Sequence, residues 1–249
     1  MKSSSNNREG NVDLVKPFVD DFLSLVFSVT WPEFYNNDYA YFDPECAFSD
    51  VRVDIRAETG GSEKPVGYAE MQVMNRALVS RSRVTEIEAA DAYGDKVYEY
   101  SRLLFNSYGG IKDSIANQLG ILFEEHMYDI AFVMRIVIFP EFRGTGVLKD
   151  LFQFMRFRIG QNVLFVGEPF PLQYEDGWDK ITQRDGLGLF DRDENHFRKA
   201  KMKIRRHYIK NGLVSVPAGK KLLFLVSGQN PNPVLDNKLD IVDNFFLKP

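Results

Sequence analysis

A long apolar run with many β-branched residues, at 128–139, is the strongest hydrophobic feature of the chain. Such a run predicts a strand that is buried on both faces of a sheet. Pro140 ends this strand, because proline has no N–H group to donate to a neighbouring strand. After the small residues Gly144 and Gly146, apolar side chains recur at helical spacing from Val147 onward. The pattern therefore predicts the order strand, small-residue loop, helix.

Alternation of apolar and polar residues predicts further strands around this central one. Residues 51–56 alternate in this way, and residues 66–74 return after a turn at 58–63, which indicates an antiparallel hairpin. Three later strands are predicted at 162–167, 213–217 and 222–226, with a helix at 196–210. The last two strands form a second hairpin, which turns at Ala218 and Gly219.

Helical spacing predicts two additions to this core. Residues 12–29 carry apolar side chains on one face, so we expect an amphipathic helix within an N-terminal extension of about 12–45. Between the first hairpin and the central strand, helices are predicted at about 95–107 and about 111–126. They belong to a helical insertion of about 77–127.

Composition fits a folded protein in a reducing compartment. The 249 residues could form one large domain or two small ones, and 14% of them are aromatic, enough for a sizeable core; we interpret the chain as a single domain. Cys46 is the only cysteine, so no internal disulfide can form. The N-terminus has no apolar segment of the signal-peptide type, and no run reaches membrane-spanning length. With a net charge of −4, these features predict a cytoplasmic protein without a membrane partner.

The loop after the central strand has the chemistry of a phosphate site. Backbone N–H groups and the positive end of the helix dipole converge there. The sequence at 140–146, Pro-Glu-Phe-Arg-Gly-Thr-Gly, resembles the pyrophosphate loop of the GCN5-related N-acetyltransferase (GNAT) superfamily. That family's signature, Gln/Arg-x-x-Gly-x-Gly/Ala, falls on Arg143, Gly146 and Leu148. The first two positions match the signature and Leu148 departs from it.

A second motif lies at the end of the helix at 196–210. Tyr208, Gly212 and Leu213 resemble the family's Tyr-x-x-x-Gly-Phe ending, with leucine in place of phenylalanine. Gly212 suits a left-handed helix cap. In the family this tyrosine points toward the thioester sulfur, so the resemblance makes Tyr208 the candidate acid for the leaving thiolate. The alternative is a tyrosine that only stabilises the helix end.

The resemblance implies an α/β acyl-CoA N-acyltransferase fold, with a mixed, mostly antiparallel sheet and helices on both faces. It implies transfer of an acetyl group from acetyl-CoA to an amine by direct attack. The pantetheine arm would lie in a slot that opens beside the central strand near Pro140, against backbone groups of Val137 and Phe139. The cofactor-binding residues implied are Val137, Ile138, Phe139, Arg143, Gly144, Thr145, Gly146, Val147 and Leu148.

The sequence does not decide which residue acts as the general base or which amine is the acceptor. Glu70 and Glu168 are candidates to take the proton of the amine, and each has the alternative of a surface or capping carboxylate. The acceptor is a small-molecule or peptide amine, while the basic helix at 196–210 leaves a nucleic-acid substrate as an option. A degenerate domain that binds acyl-CoA or a partner without turnover is the other alternative. No metal site is expected, and the oligomeric state, with a dimer as one option, is not determined.

Overall fold

A single seven-stranded sheet forms the centre of the protein in a computed structural model, which describes residues 24–30, 44–59, 62–121, 128–158, 162–184, 186–187 and 193–227. The strands are β1 Ser24–Thr30, β2 Phe48–Thr59, β3 Ser62–Met74, β4 Asp129–Ile138, β5 Val163–Gly167, β6 Val214–Ser215 and β7 Leu223–Val226. Their order is β1-β2-β3-β4-β5-β7-β6, and only β4 and β5 pair in parallel. The prediction of an α/β protein with a mixed, mostly antiparallel sheet is confirmed.

Helices cover both faces of this sheet. They are α1 Arg76–Arg81, α2 Glu86–Tyr93, α3 Asp95–Leu104, α4 Asp113–Leu119, α5 Val147–Arg158, α6 Trp178–Arg184 and α7 Glu194–Lys210. Phe132 of β4 packs in a first core with α1 to α4, whereas its neighbour Ala131 packs in a second core with α5. Since successive side chains of a strand point to opposite sides, the two cores lie on opposite faces of β4.

The predicted N-terminal helix is wrong where the structure describes it. Residues 24–30 form strand β1, which pairs antiparallel with β2 and places Phe27 opposite Ile55. Leu25, Phe27 and Val29 pack against the second core, so the segment follows the two-residue period of a strand. The remainder of the predicted helix, at 12–23, lies outside the described residues.

The described part of the insertion contains four helices, where the sequence predicted two. Two short additional helices begin at side-chain caps: Asn75 accepts from the Leu78 N–H at 3.0 Å, and Thr85 forms a capping box with Glu88. The last of the four, α4, ends at Gly120, whose φ of +67° gives a left-handed cap. The helix predicted at 111–126 is therefore shorter than expected over the described residues, where it spans Asp113–Leu119. Residues 122–127 lie outside the described part of the chain.

Strand β4 leaves its neighbour β5 halfway along its length. The parallel pairing runs from Asp129 opposite Val163 to Val133 opposite Gly167, where β5 ends. On its other edge, β4 bulges, because Glu70 and Met71 of β3 pair with Arg135 and Val133 and skip Met134. The remainder of β4 thus has no β5 partner, and a gap opens after Val133 rather than near Pro140.

Candidate functional site

A cavity of about 1060 Å³ occupies the gap between β4 and β5. Its wall includes the unpaired end of β4, the loop that precedes α5, one side of α7 and the residues that follow β5. Apolar side chains form its interior, among them Phe152 of α5, Phe165 of β5 and Leu225 of β7. The cavity therefore brings together the two motifs that the sequence analysis singled out.

The glycine loop presents free backbone donors to this cavity. Gly144 and Gly146 have φ values of +83° and +96°, and a Cβ on either would meet no atom within 4 Å. The N–H groups of Gly144, Gly146 and Val147 have no acceptor among the described residues. Since Val147 begins α5, the dipole of that helix adds positive potential at the same point. An anion can be held here by main-chain N–H groups alone.

Thr145 does not supply a free backbone donor, contrary to expectation. Its N–H and its hydroxyl both donate to the carbonyl of Phe142, at 3.4 and 2.7 Å. These bonds fix the turn that aims the neighbouring glycines at the cavity. Thr145 therefore shapes the loop, and the available N–H groups are those on either side of it.

Arg143 donates hydrogen bonds to two backbone carbonyls beside the cavity. Its Nε donates to the carbonyl of Ile138 at 3.0 Å, and its Nη2 donates to the carbonyl of Leu187 at 3.1 Å. The side chain therefore ties the loop to the end of β4, and Nη1 has no partner among the described residues. Arg143 offers an anion one remaining donor nitrogen and a positive charge.

The backbone groups that face the gap are not those expected from the sequence. The N–H of Phe139 donates to the carbonyl of Val66 in β3, at 2.8 Å. Because hydrogen-bonding direction alternates along an antiparallel strand, Val137 also turns its polar backbone toward β3. Ile136 and Ile138 face the gap instead, and Arg143 already occupies the Ile138 carbonyl. The backbone contacts of the pantetheine arm with Val137 and Phe139 stay a prediction, which the pairing of these two residues with β3 does not favour.

Tyr208 lies in the wall of the same cavity, near the C-terminal end of α7. Its ring meets the ring of Phe152 edge-on, with centroids 5.4 Å apart. The helix ends at Lys210, Gly212 follows it with a φ of +103°, and the N–H of Leu213 donates back to the Tyr208 carbonyl at 3.2 Å. The phenol has no hydrogen-bond partner in the described chain. Burial raises the pKa of Tyr208 above its usual value, so the hydroxyl keeps its proton at neutral pH.

Neither candidate base is a free carboxylate. Glu70 accepts from Nη1 of Arg52 at 2.9 Å and from Nη1 of Arg135 at 2.8 Å. Glu168 lines the cavity, but it accepts from Lys201 at 2.5 Å and from Lys221 at 2.8 Å. Burial opposes ionisation of Glu168, yet the two lysines outweigh it and hold its pKa below the usual range. A carboxylate this stable in its charged form is a weak acceptor for the proton of an amine.

Replacing Glu168 with glutamine tests its structural role. We expect a loss of about 2 kcal/mol of folding stability at pH 7, because two charge-assisted hydrogen bonds are weakened. Since the pKa is lowered in the fold, this contribution is complete above the unfolded value of about 4.3 and disappears as pH falls through the folded value. Urea unfolding of both proteins between pH 3 and pH 7 measures it. A difference that does not shrink in acid would contradict the assignment.

Positive charge surrounds the cavity, although the whole chain is mildly acidic. The cationic residues in its wall are Lys96, Arg135, Arg143, Lys149, Lys203, Arg206 and Lys210. Glu168 is the only carboxylate among the described wall residues. Lys149, Lys203, Arg206 and Lys210 are exposed and form no ion pair within the described ranges. The site therefore suits a ligand with several negative charges.

In a comparison with known proteins, no family model, curated protein or solved structure matches the chain. Over the described ranges, no three His, Cys, Asp or Glu side chains converge as metal ligands. None of the helices in those ranges has both the length and the apolar character needed to cross a bilayer.

Proposed function

We propose that this protein is an N-acetyltransferase of the GNAT type, which transfers an acetyl group from acetyl-CoA to an amine. One observation carries the proposal: a single cavity between parted strands is lined both by the glycine loop at the start of α5 and by Tyr208. A nucleotide thioester needs an anion site at one end and a proton donor for its sulfur at the other. The positive wall of the cavity supports the same ligand class.

In the proposed reaction, the amine nitrogen attacks the thioester carbonyl carbon directly. A C–N bond forms, the C–S bond breaks, and the thiolate of coenzyme A takes the proton of Tyr208. The N–H of Ile136, which faces the gap, is placed to polarise the carbonyl oxygen of the thioester. The excess proton of the amine passes to water, since Glu70 and Glu168 are held by their cationic partners, and the Tyr208 phenolate regains a proton from solvent.

Binding of coenzyme A is tested by the double substitution Arg143→Ala and Gly146→Glu. We expect affinity to fall by roughly 100-fold or more, because one cation is lost and a carboxylate is placed beside the pyrophosphate. Isothermal titration calorimetry with coenzyme A measures it. Gly120→Glu is the matched control, since Gly120 also has a positive φ and open space but lies outside the cavity wall. Equal affinity in the double variant and the wild type would contradict the proposed site.

A protein that binds acyl-CoA without turnover is the second candidate. The ion pairs of Glu70 and Glu168 favour it, because neither carboxylate is free to accept the proton of an amine. Release of free thiol from acetyl-CoA distinguishes the two functions. Tight binding together with no amine-dependent thiol release would assign the second function.

A further inference from the structure

Among the residues that the structure describes, the wall of the cavity offers no free carboxylate to a polycationic acceptor. Glu168 has both oxygens occupied, by Lys201 and by Lys221. The nearby Glu70 and Glu175 are both paired with Arg135, at 2.8 Å each. A polyamine or a lysine-rich peptide would therefore meet mostly positive charge, which opposes its binding.

Helix α3 brings one unpaired cation to this cavity from the helical insertion. Lys221 donates to Glu99 of α3 at 2.6 Å and also contacts Glu168, which follows β5. These two contacts hold α3 beside the end of β5. Lys96 lies one turn before Tyr100 on the same helix and contributes to the cavity wall. It forms no ion pair with any described residue.

Lys96 also lies on the opposite face of the sheet from the glycine loop. Helix α3 packs in the first core with Phe132, and α5, which follows the loop, packs in the second core with Ala131. A pyrophosphate bound at Gly146 would therefore pair with the cations near α5 and α7. Lys96 does not pair with it and can interact with a molecule that enters the cavity from the other face of the sheet.

We infer that the acceptor is an amine that carries its own anionic group, a carboxylate or a phosphate, and that Lys96 binds this group. The inference rests on the proposed acetyl transfer. It makes Lys96 a specificity-determining residue: its ammonium group pairs with the anion and leaves the neutral nitrogen of the acceptor facing the thioester in the gap. A charge-assisted bond of this kind favours the anionic acceptor over its uncharged analogue.

Matched acceptor pairs test this inference with acetyl-CoA as donor and thiol release as readout. L-Phenylalanine is compared with 2-phenylethylamine, and O-phosphoethanolamine with ethanolamine, while spermidine serves as the polycation. We expect kcat/KM to be about tenfold or more higher for an anionic member than for its partner, the ratio that one charge-assisted bond supplies. Lys96→Gln should remove this ratio and Lys96→Arg should keep it. Lys180→Gln, an exposed lysine of α6 outside the wall, should leave it unchanged.

Calorimetry with coenzyme A separates failure of the inference from failure of the proposed function. If coenzyme A does not bind, both fail together. If it binds and the uncharged amines or spermidine react as well as the anionic ones, only the inference is overturned. The inference is equally overturned if coenzyme A binds and no anionic amine of the panel releases thiol, or if Lys96→Gln keeps the full ratio.

Discussion

Replacing Tyr208 with phenylalanine is expected to lower the turnover number by about 10²–10⁴, the usual contribution of a placed general acid. The substitution keeps the ring and its edge-on contact with Phe152 and removes only the hydroxyl. The leaving thiolate then has no donor and must take its proton from water. Coenzyme A affinity should hardly change, because the lost bond belongs to the transition state rather than to the bound cofactor.

Steady-state thiol release by the two proteins measures this effect, with the folded fraction of each determined in parallel. Tyr108→Phe is the matched control, since Tyr108 is 91% exposed and outside the cavity wall. Because burial raises the pKa of Tyr208, the wild-type rate should show no loss from its ionisation up to about pH 10. A folded Tyr208→Phe protein that keeps more than about a third of its turnover, against the fall expected for a lost acid, would leave the residue with a structural role only.

Replacing Arg76 with methionine is expected to cost about 3–5 kcal/mol of folding stability. The Arg76 side chain is only 2% exposed and contacts Glu86 at 2.7 Å and the carbonyl of Gly109 at 3.1 Å. It thus ties α1 to α2 and to the turn after α3. Without it, the Glu86 carboxylate, which is 12% exposed, is left buried and unpaired.

Urea unfolding gives the free-energy difference for Arg76→Met. Arg81→Met is the control at the other end of α1, where the side chain is exposed, and should change stability by about 0.5 kcal/mol or less. Adding Glu86→Leu to Arg76→Met should recover much of the loss, because the uncompensated charge is removed. A loss below about 1 kcal/mol in Arg76→Met would contradict the structural role of this buried ion pair.

Strong local periodicity explains why much of the sheet was predictable. Strand β4 was visible as an apolar run, and the glycines before α5 marked a turn that only small residues form easily. In β1, Leu25, Phe27 and Val29 stand two apart, but neighbouring apolar residues also fit a helix face. Pairing with β2, a contact with a segment distant in sequence, decides between the two.

The details of the candidate site depended on contacts between distant segments. The bulge at Met134 shifts which backbone groups of β4 face the gap, and no residue type at that position announces it. Arg52 and Arg135 pair with Glu70 from two neighbouring strands, a contact that the sequence around Glu70 does not indicate. Lys96 was overlooked because a lysine on a helix most often has only solvent around it.

A crystal structure of the protein soaked with acetyl-CoA is the most direct test of the proposed cofactor site. We expect pyrophosphate oxygens on the N–H groups of Gly146 and Val147, with the pantetheine arm in the gap between β4 and β5. The sulfur should lie within hydrogen-bond reach of the Tyr208 hydroxyl. A cavity without ligand at saturating acetyl-CoA, or a sulfur that lies away from Tyr208, would contradict the proposed function.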